Sequence, residues 1–179
     1  MSQYCFEVPP RSRKEIIDAA LGLRHALRIT SPKFPILHVV ETLLPQEVPD
    51  FSFEVKEMSE MGDNHGLTHP ELMEMWIRED VYAGAYAGQG RDRFTIAHEL
   101  GHFLLHNQPG LARTLKAAAT LKPFVNSEWQ ANSFAGALLI PTDVALRLRD
   151  PLAIAVECGV SVDAANVQLK VLRQQGALR

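Results

Sequence analysis

The sequence predicts an α+β domain in which a small, mostly antiparallel sheet packs on a central helix, with further helices before and after it. Three observations carry this. A long helical segment with little polar circumference surrounds His98-Glu99-Leu100-Gly101-His102, short stretches with strand-like alternation precede it, and helical apolar spacing recurs on both sides. A chain of 179 residues suits a single domain over 1–179, long enough to bury roughly 70% of the surface its unfolded form exposes. Apolar residues make up 46% and charged residues 22%, ordinary for a soluble globular protein, and no apolar run approaches a membrane span.

Taken in order, Ser12-x-x-Glu15 has the form of a capping box. Ile16, Ala20, Leu23 and Leu27 follow at helical spacing, giving an opening helix that ends before Ser31-Pro32. Pro35 starts a short second helix, Ile36 to Leu44, which Pro45 halts. Phe51-Ser52-Phe53-Glu54-Val55-Lys56 alternates like a half-buried strand, and Met61 to Pro70 reads as a turn-rich loop. Glu74-Met75-Trp76-Ile77-Arg78 reads as another strand, and Val81 to Gly90, with three glycines and Tyr82 and Tyr86, as a further strand or a turn. The central helix runs from about Gly90 to His106, where Asn107-Gln108-Pro109-Gly110 stops it. Leu111 to Asn126 joins it to a second long helix, capped by Ser127 and ended by Pro141. Thr142 caps a short helix, Asp150-Pro151 starts another, and Cys158-Gly159-Val160-Ser161 turns into a last helix through Leu172.

The pattern His98-Glu99-x-x-His102 has the spacing of a helical zinc site. Residues four apart lie about 40° apart around the axis, so both imidazoles reach one metal while Glu99 can address water beside it. Catalytic zinc usually takes three protein ligands. A metzincin would have Gly and His three and six positions after His102, where Leu105 and Gln108 stand, so that class is excluded. The remaining common solution is a glutamate on a following helix, and Glu128 begins the next one. The span from Asn107 to Ser127 is long enough to bring the chain back antiparallel, and Asn132, four residues on, would share a face with Glu128 and could orient an imidazole through its amide. The expected site is therefore zinc on His98, His102 and Glu128, with Glu99 as the base that takes a proton from water and Asn132 in support. His106 continues the series but is rotated away from the metal, which suits a structural or supporting duty. Tyr82 and Tyr86 are candidates to steady an oxyanion, in a region that could form the edge strand for an extended peptide.

Other features exclude more than they assign. Cys5 and Cys158 are too few for a disulfide framework or a cysteine-held zinc, which points to ordinary buried thiols in a reducing cytoplasm. Glu7, Arg11, Arg13, Lys14 and Glu15 stand where a signal peptide needs its apolar stretch. Net charge is −3, giving no general pull toward nucleic acid. The C-terminal helices imitate a helix-turn-helix, yet the last offers only Lys170 and Arg173 to phosphates and has Val162, Asp163, Ala164 and Ala165 at its start. Packing or docking of a partner fits it better than DNA reading.

Two blocks, Arg91-Asp92-Arg93-Phe94-Thr95-Ile96-Ala97-His98-Glu99-Leu100-Gly101-His102-Phe103-Leu104-Leu105-His106 and Glu128-Trp129-Gln130-Ala131-Asn132-Ser133-Phe134-Ala135-Gly136-Ala137-Leu138-Leu139-Ile140-Pro141, together resemble the signatures of the ImmA/IrrE-type metallopeptidases, relatives of the gluzincins. The resemblance implies zinc on His98, His102 and Glu128 and catalysis by Glu99, and it implies a substrate class: helix-turn-helix repressors of the phage-repressor type, often encoded beside the peptidase. Larger members carry a sensor-like domain for which this chain has no room, and short relatives resemble partners of toxin and antitoxin pairs. The leading expectation is a zinc endopeptidase that cuts such a repressor, with no direct nucleic-acid or membrane partner. Its rivals are a zinc-bearing module that holds a repressor without cutting it and a DNA-binding regulator using the C-terminal helices. Glu99 argues against the first and the acidic balance against the second.

Overall fold

Ile96, Ala97, Leu100, Gly101, Phe103 and Leu105 bury most of the circumference of helix α6 (Gly90–His106), and the core forms around it. The structure is a computed structural model that describes residues 4–106, 114–117 and 120–178. Helix α7 (Ser127–Leu139) runs back along α6, so that His106 meets Gln130 near one end and His98 meets Asn132 nearer the other. Helix α1 (Arg13–Ala26) lies on α7: the Arg13 guanidinium sits 4.8 Å from the Trp129 ring centre, and Arg24 donates to the Leu138 carbonyl at 2.8 Å. The Ser12–Glu15 capping box is formed as expected, each side chain accepting from the other's backbone amide.

On another side of α6 lies a three-stranded sheet in the order β2 (Ser52–Lys56), β4 (Glu74–Arg78), β3 (Gly66–His69). β2 and β4 are parallel and β3 and β4 antiparallel. A two-stranded antiparallel sheet pairs β1 (Tyr4–Glu7) with β5 (Thr114–Ala117). The fold is α+β, with helices flanking small sheets whose pairings are mostly antiparallel. Met75 and Ile77 are fully buried, while the register sets Trp76 with Glu54 and Leu67 on the opposite face.

Several boundaries differ from the sequence expectation, each for a physical reason. The supposed loop from Met61 to Pro70 begins at the end of a short helix, α4 (Met58–Met61), and contains β3, because Gly66 to His69 find hydrogen-bonding partners on β4, a pairing invisible to local turn signals. Val81 to Gly90 holds no strand: α5 (Glu79–Tyr86) occupies most of it, with acidic residues in the first turn and Val81 and Ala85 buried four apart, and the expected turn is confined to Ala87 and Gly88 after it. Pro45 does not halt the second helix. After α2 (Ile36–His38) the backbone widens into a π-helical stretch, Val39–Leu43, where the Leu44 amide bonds back five residues to the Val39 carbonyl, and the helix runs on through Pro45 as α3 (Leu44–Glu47). The cap of α7 is Asn126, whose Oδ1 accepts from the Trp129 amide at 3.0 Å; Ser127 Oγ instead accepts from the Phe6 amide at 3.1 Å and so ties β1 to α7. Thr142 is the first residue of α8 (Thr142–Leu148) rather than its cap. The expected stop at Asn107-Gln108-Pro109-Gly110 lies outside the described residues.

The C-terminal helices α9 (Pro151–Cys158) and α10 (Val162–Gln174) start where expected, with Asp150 and Ser161 capping them. Buried Arg93 anchors their turn to the core, donating from Nε to the Gly159 carbonyl at 2.8 Å and from Nη2 to the Phe34 carbonyl at 2.7 Å. Lys170 and Arg173 are exposed on α10. Cys5 and Cys158 are buried free thiols, and burial pushes Cys158 up to about 11, as suits an inert one. No single helix among the described residues is long and apolar enough to cross a membrane.

Candidate active site

Helical spacing on α6 and the first turn of α7 bring three metal-binding side chains to one point. His98 Nε2 and His102 Nε2 lie 3.0 Å apart; Glu128 Oε2 is 3.3 Å from the first and Glu128 Oε1 3.1 Å from the second. Donors held 2.0–2.1 Å from a tetrahedral zinc ion would stand about 3.3 Å from one another, so this set fits such an ion. His98, His102 and Glu128 are a group that could hold a metal. Asn132, as its place on α7 suggested, sets its Oδ1 3.1 Å from His98 Nδ1.

The electrostatics reflect this closeness. Burial works against charge on His98, but Glu128, with Glu99 and the Asn132 amide, outweighs it and holds the imidazole above its ordinary pKa. The same contact acts on Glu128, where burial opposes ionisation and the bonded imidazoles override it, taking the carboxyl well below the usual range. Nearby Cys5 is shifted the other way, its thiol raised by burial and by the charge of Glu128, so it stays a neutral wall residue.

Glu99 is buried on the sheet side of α6, where Thr68 Oγ1 donates to its Oε2 at 2.7 Å and also lies 3.1 Å from its backbone carbonyl. A Cβ on Gly66 would stand 2.6 Å from Glu99 Cγ, so a larger residue on β3 would push this side chain aside. A cavity of about 310 Å³ opens over the site, with His98, Glu99, His102 and Glu128 on its floor, Gly66, Leu67 and Thr68 along one side and Cys5, Phe6 and Val8 along the other. β3 is an edge strand of its sheet, and it, rather than the Tyr82 region, borders the cavity.

His106 is buried and does not join the three converging donors. Its Nδ1 is 3.2 Å from His102 Nδ1 and its Nε2 3.2 Å from Gln130 Oε1. The tyrosines are not at the site. Tyr82 donates its hydroxyl to Glu41 at 2.7 Å, Tyr86 is 79% exposed, and neither lines the cavity, because α5 carries both away from it. Sequence reasoning missed Thr68, Gly66 and Gln130. The first two hid among turn residues, and the third gave no sign in the sequence, since only the structure shows its amide to be fully buried.

A model of the IrrE N-terminal-like domain matches residues 53–170, a span that holds β2 to β4, α6, α7 and most of α10. The chain belongs to this peptidase family. The IrrE N-terminal-like match takes in His98, Glu99, His102 and Glu128 and leaves β1 outside it. A comparison with curated proteins returned no match.

Proposed function

We propose that this IrrE N-terminal-like peptidase is a zinc-dependent endopeptidase and that its substrate is a helix-turn-helix repressor of the phage-repressor type, cut in phage, mobile-element, stress or toxin-antitoxin regulation. The observation that carries the hydrolytic reading is the convergence of His98, His102 and Glu128 with Glu99 beside them on the floor of an open cavity. The substrate class rests on the resemblance of the two signature blocks. A zinc ion held by the three side chains would supply Lewis acidity, acidifying water toward a pKa of about 7 and polarising a peptide carbonyl.

The chain's own groups do the rest. Glu99 takes a proton from water as the oxygen adds to the carbonyl carbon, then gives it to the leaving amine as the C–N bond breaks. The Thr68 hydroxyl fixes which way that carboxylate faces. β3 offers an extended peptide the backbone groups of an edge strand within reach of Glu99, and β1 closes the opposite wall. Asn132 accepts from His98 Nδ1 and leaves Nε2 as the donor to the metal.

Co-expression with the helix-turn-helix protein encoded nearest this gene tests the reading. Wild type is expected to give a discrete fragment with a new N-terminus, located by mass spectrometry, and Glu99→Gln an intact partner. A stable intact complex with both forms, with the inducing signal supplied, would favour a holding module. Salt-sensitive, sequence-selective DNA binding by the chain alone, lost on changing Lys170 and Arg173, would favour a regulator instead.

A further inference from the structure

We infer that His106 and Gln130 form a relay that holds a hydrogen on His102 Nδ1, so that Nε2 is the ring atom His102 turns toward a metal. The inference rests on the zinc-site reading for its purpose, though not for its geometry. It starts from Gln130, which is fully buried on α7. Its Nε2 donates to the Pro9 carbonyl at 2.9 Å and to the Phe124 carbonyl at 2.8 Å. Both amide hydrogens are thereby used, and the orientation of the amide is fixed, because turning it over would set its oxygen against two carbonyl oxygens.

The direction of every later bond follows. Gln130 Oε1 faces His106 Nε2 at 3.2 Å and can only accept, so His106 Nε2 carries the hydrogen. A neutral imidazole protonated there has a lone pair on Nδ1. That atom lies 3.2 Å from His102 Nδ1, and the contact is a hydrogen bond only if His102 Nδ1 is the donor. With Nδ1 so engaged, Nε2 is the His102 atom that meets His98 Nε2 and Glu128 Oε1, the point where a metal or, without one, a proton shared with the carboxylate can sit. Asn132 does the same for His98 in a single step. Each ligand histidine thus has its own positioning group, and that of His102 reaches through a second imidazole to carbonyls in the segment after β1 and in the 3-10 turn Pro123–Val125.

The test uses full-length, metal-free protein with ¹⁵N-labelled histidine, in which long-range ¹H–¹⁵N correlations read each ring's tautomer, together with zinc affinity measured against a chelator. Wild type is expected to show His102 protonated at Nδ1 and His106 at Nε2. His106→Leu, which removes the acceptor, should mix the His102 tautomers and weaken zinc binding about 10- to 100-fold. His106→Gln, whose amide oxygen can accept from His102, should restore the single tautomer and bring zinc affinity back to within about threefold of wild type, a rescue that loss of packing alone would not give. A His102 with no hydrogen on Nδ1 in wild type overturns the relay whether or not either variant folds, and so does a folded His106→Leu with wild-type tautomer and affinity. Wild type that binds no zinc while showing the expected tautomers would instead overturn the zinc-site reading and leave the relay's geometry standing.

Discussion

Gly101 on α6 lies directly against Ala131 on α7: a Cβ at Gly101 would come within 3.2 Å of both the Cα and the carbonyl oxygen of Ala131. Those are backbone atoms, so α7 itself would have to shift. The contact sits between His98 and His102 on one helix and beside Glu128 and Asn132 on the other, which makes helix spacing the quantity that sets the ligand distances. Gly101→Ala is expected to destabilise the fold by about 1–3 kcal/mol, as overpacking of a core usually does, and to weaken zinc binding roughly tenfold as Glu128 is moved off. Urea unfolding and chelator competition measure the two effects. An unchanged zinc affinity with reduced stability would mean that the ligands do not depend on this spacing.

A second expectation concerns the base rather than the metal. Gly66 and Thr68 both bear on Glu99, one by leaving room and the other by donating to its carboxylate. Gly66→Ala and Thr68→Val should each lower the rate of cutting of a substrate that wild type cleaves, by roughly 10- to 100-fold, the usual scale for a small misplacement of a reacting group. Zinc content should stay stoichiometric, since the hydrogen bonds of Thr68 and the close approach of Gly66 are to Glu99 and not to the three converging donors. Full activity in Thr68→Val would remove that hydroxyl from the machinery.

These two cases also show what was legible in the sequence. His98, Glu99 and His102 could be read because helical periodicity is local, and the placement of Glu128 and Asn132 followed once a second helix was seen to return beside the first. The capping box at Ser12 and the starts of α9 and α10 were written the same way, in a few adjacent residues. Thr68 was out of reach because β3 exists only through its pairing with β4, and the glycines and prolines around it signal turns with equal force. Tyr82 was misplaced because aromatic and small residues between two turns fit a strand as well as a helix, and nothing nearby reveals that Glu41 receives its hydroxyl. Gln130 owes its fixed orientation to Pro9, 121 positions away, a contact that no periodicity encodes.

The last prediction separates metal binding from chemistry by using zinc as a ligand of the folded state. Anything that binds the native chain and not the unfolded one raises stability by RT ln(1 + [L]/Kd), about 2.7 kcal/mol at a hundredfold excess over Kd. For a chain of this size that corresponds to a rise in Tm on the order of 5–10 °C. Wild type and Glu99→Gln should both show the rise, because Glu99 stands beside the three converging donors without being one of them. Glu128→Ala should lose most of it, since its carboxylate is within 3.3 Å of both imidazoles and two histidines alone leave a three-ligand site incomplete. Elemental analysis of the same samples gives the stoichiometry directly, one zinc per chain for the first two. Tightly held zinc and an undiminished Tm shift in Glu128→Ala would remove Glu128 from the ligands.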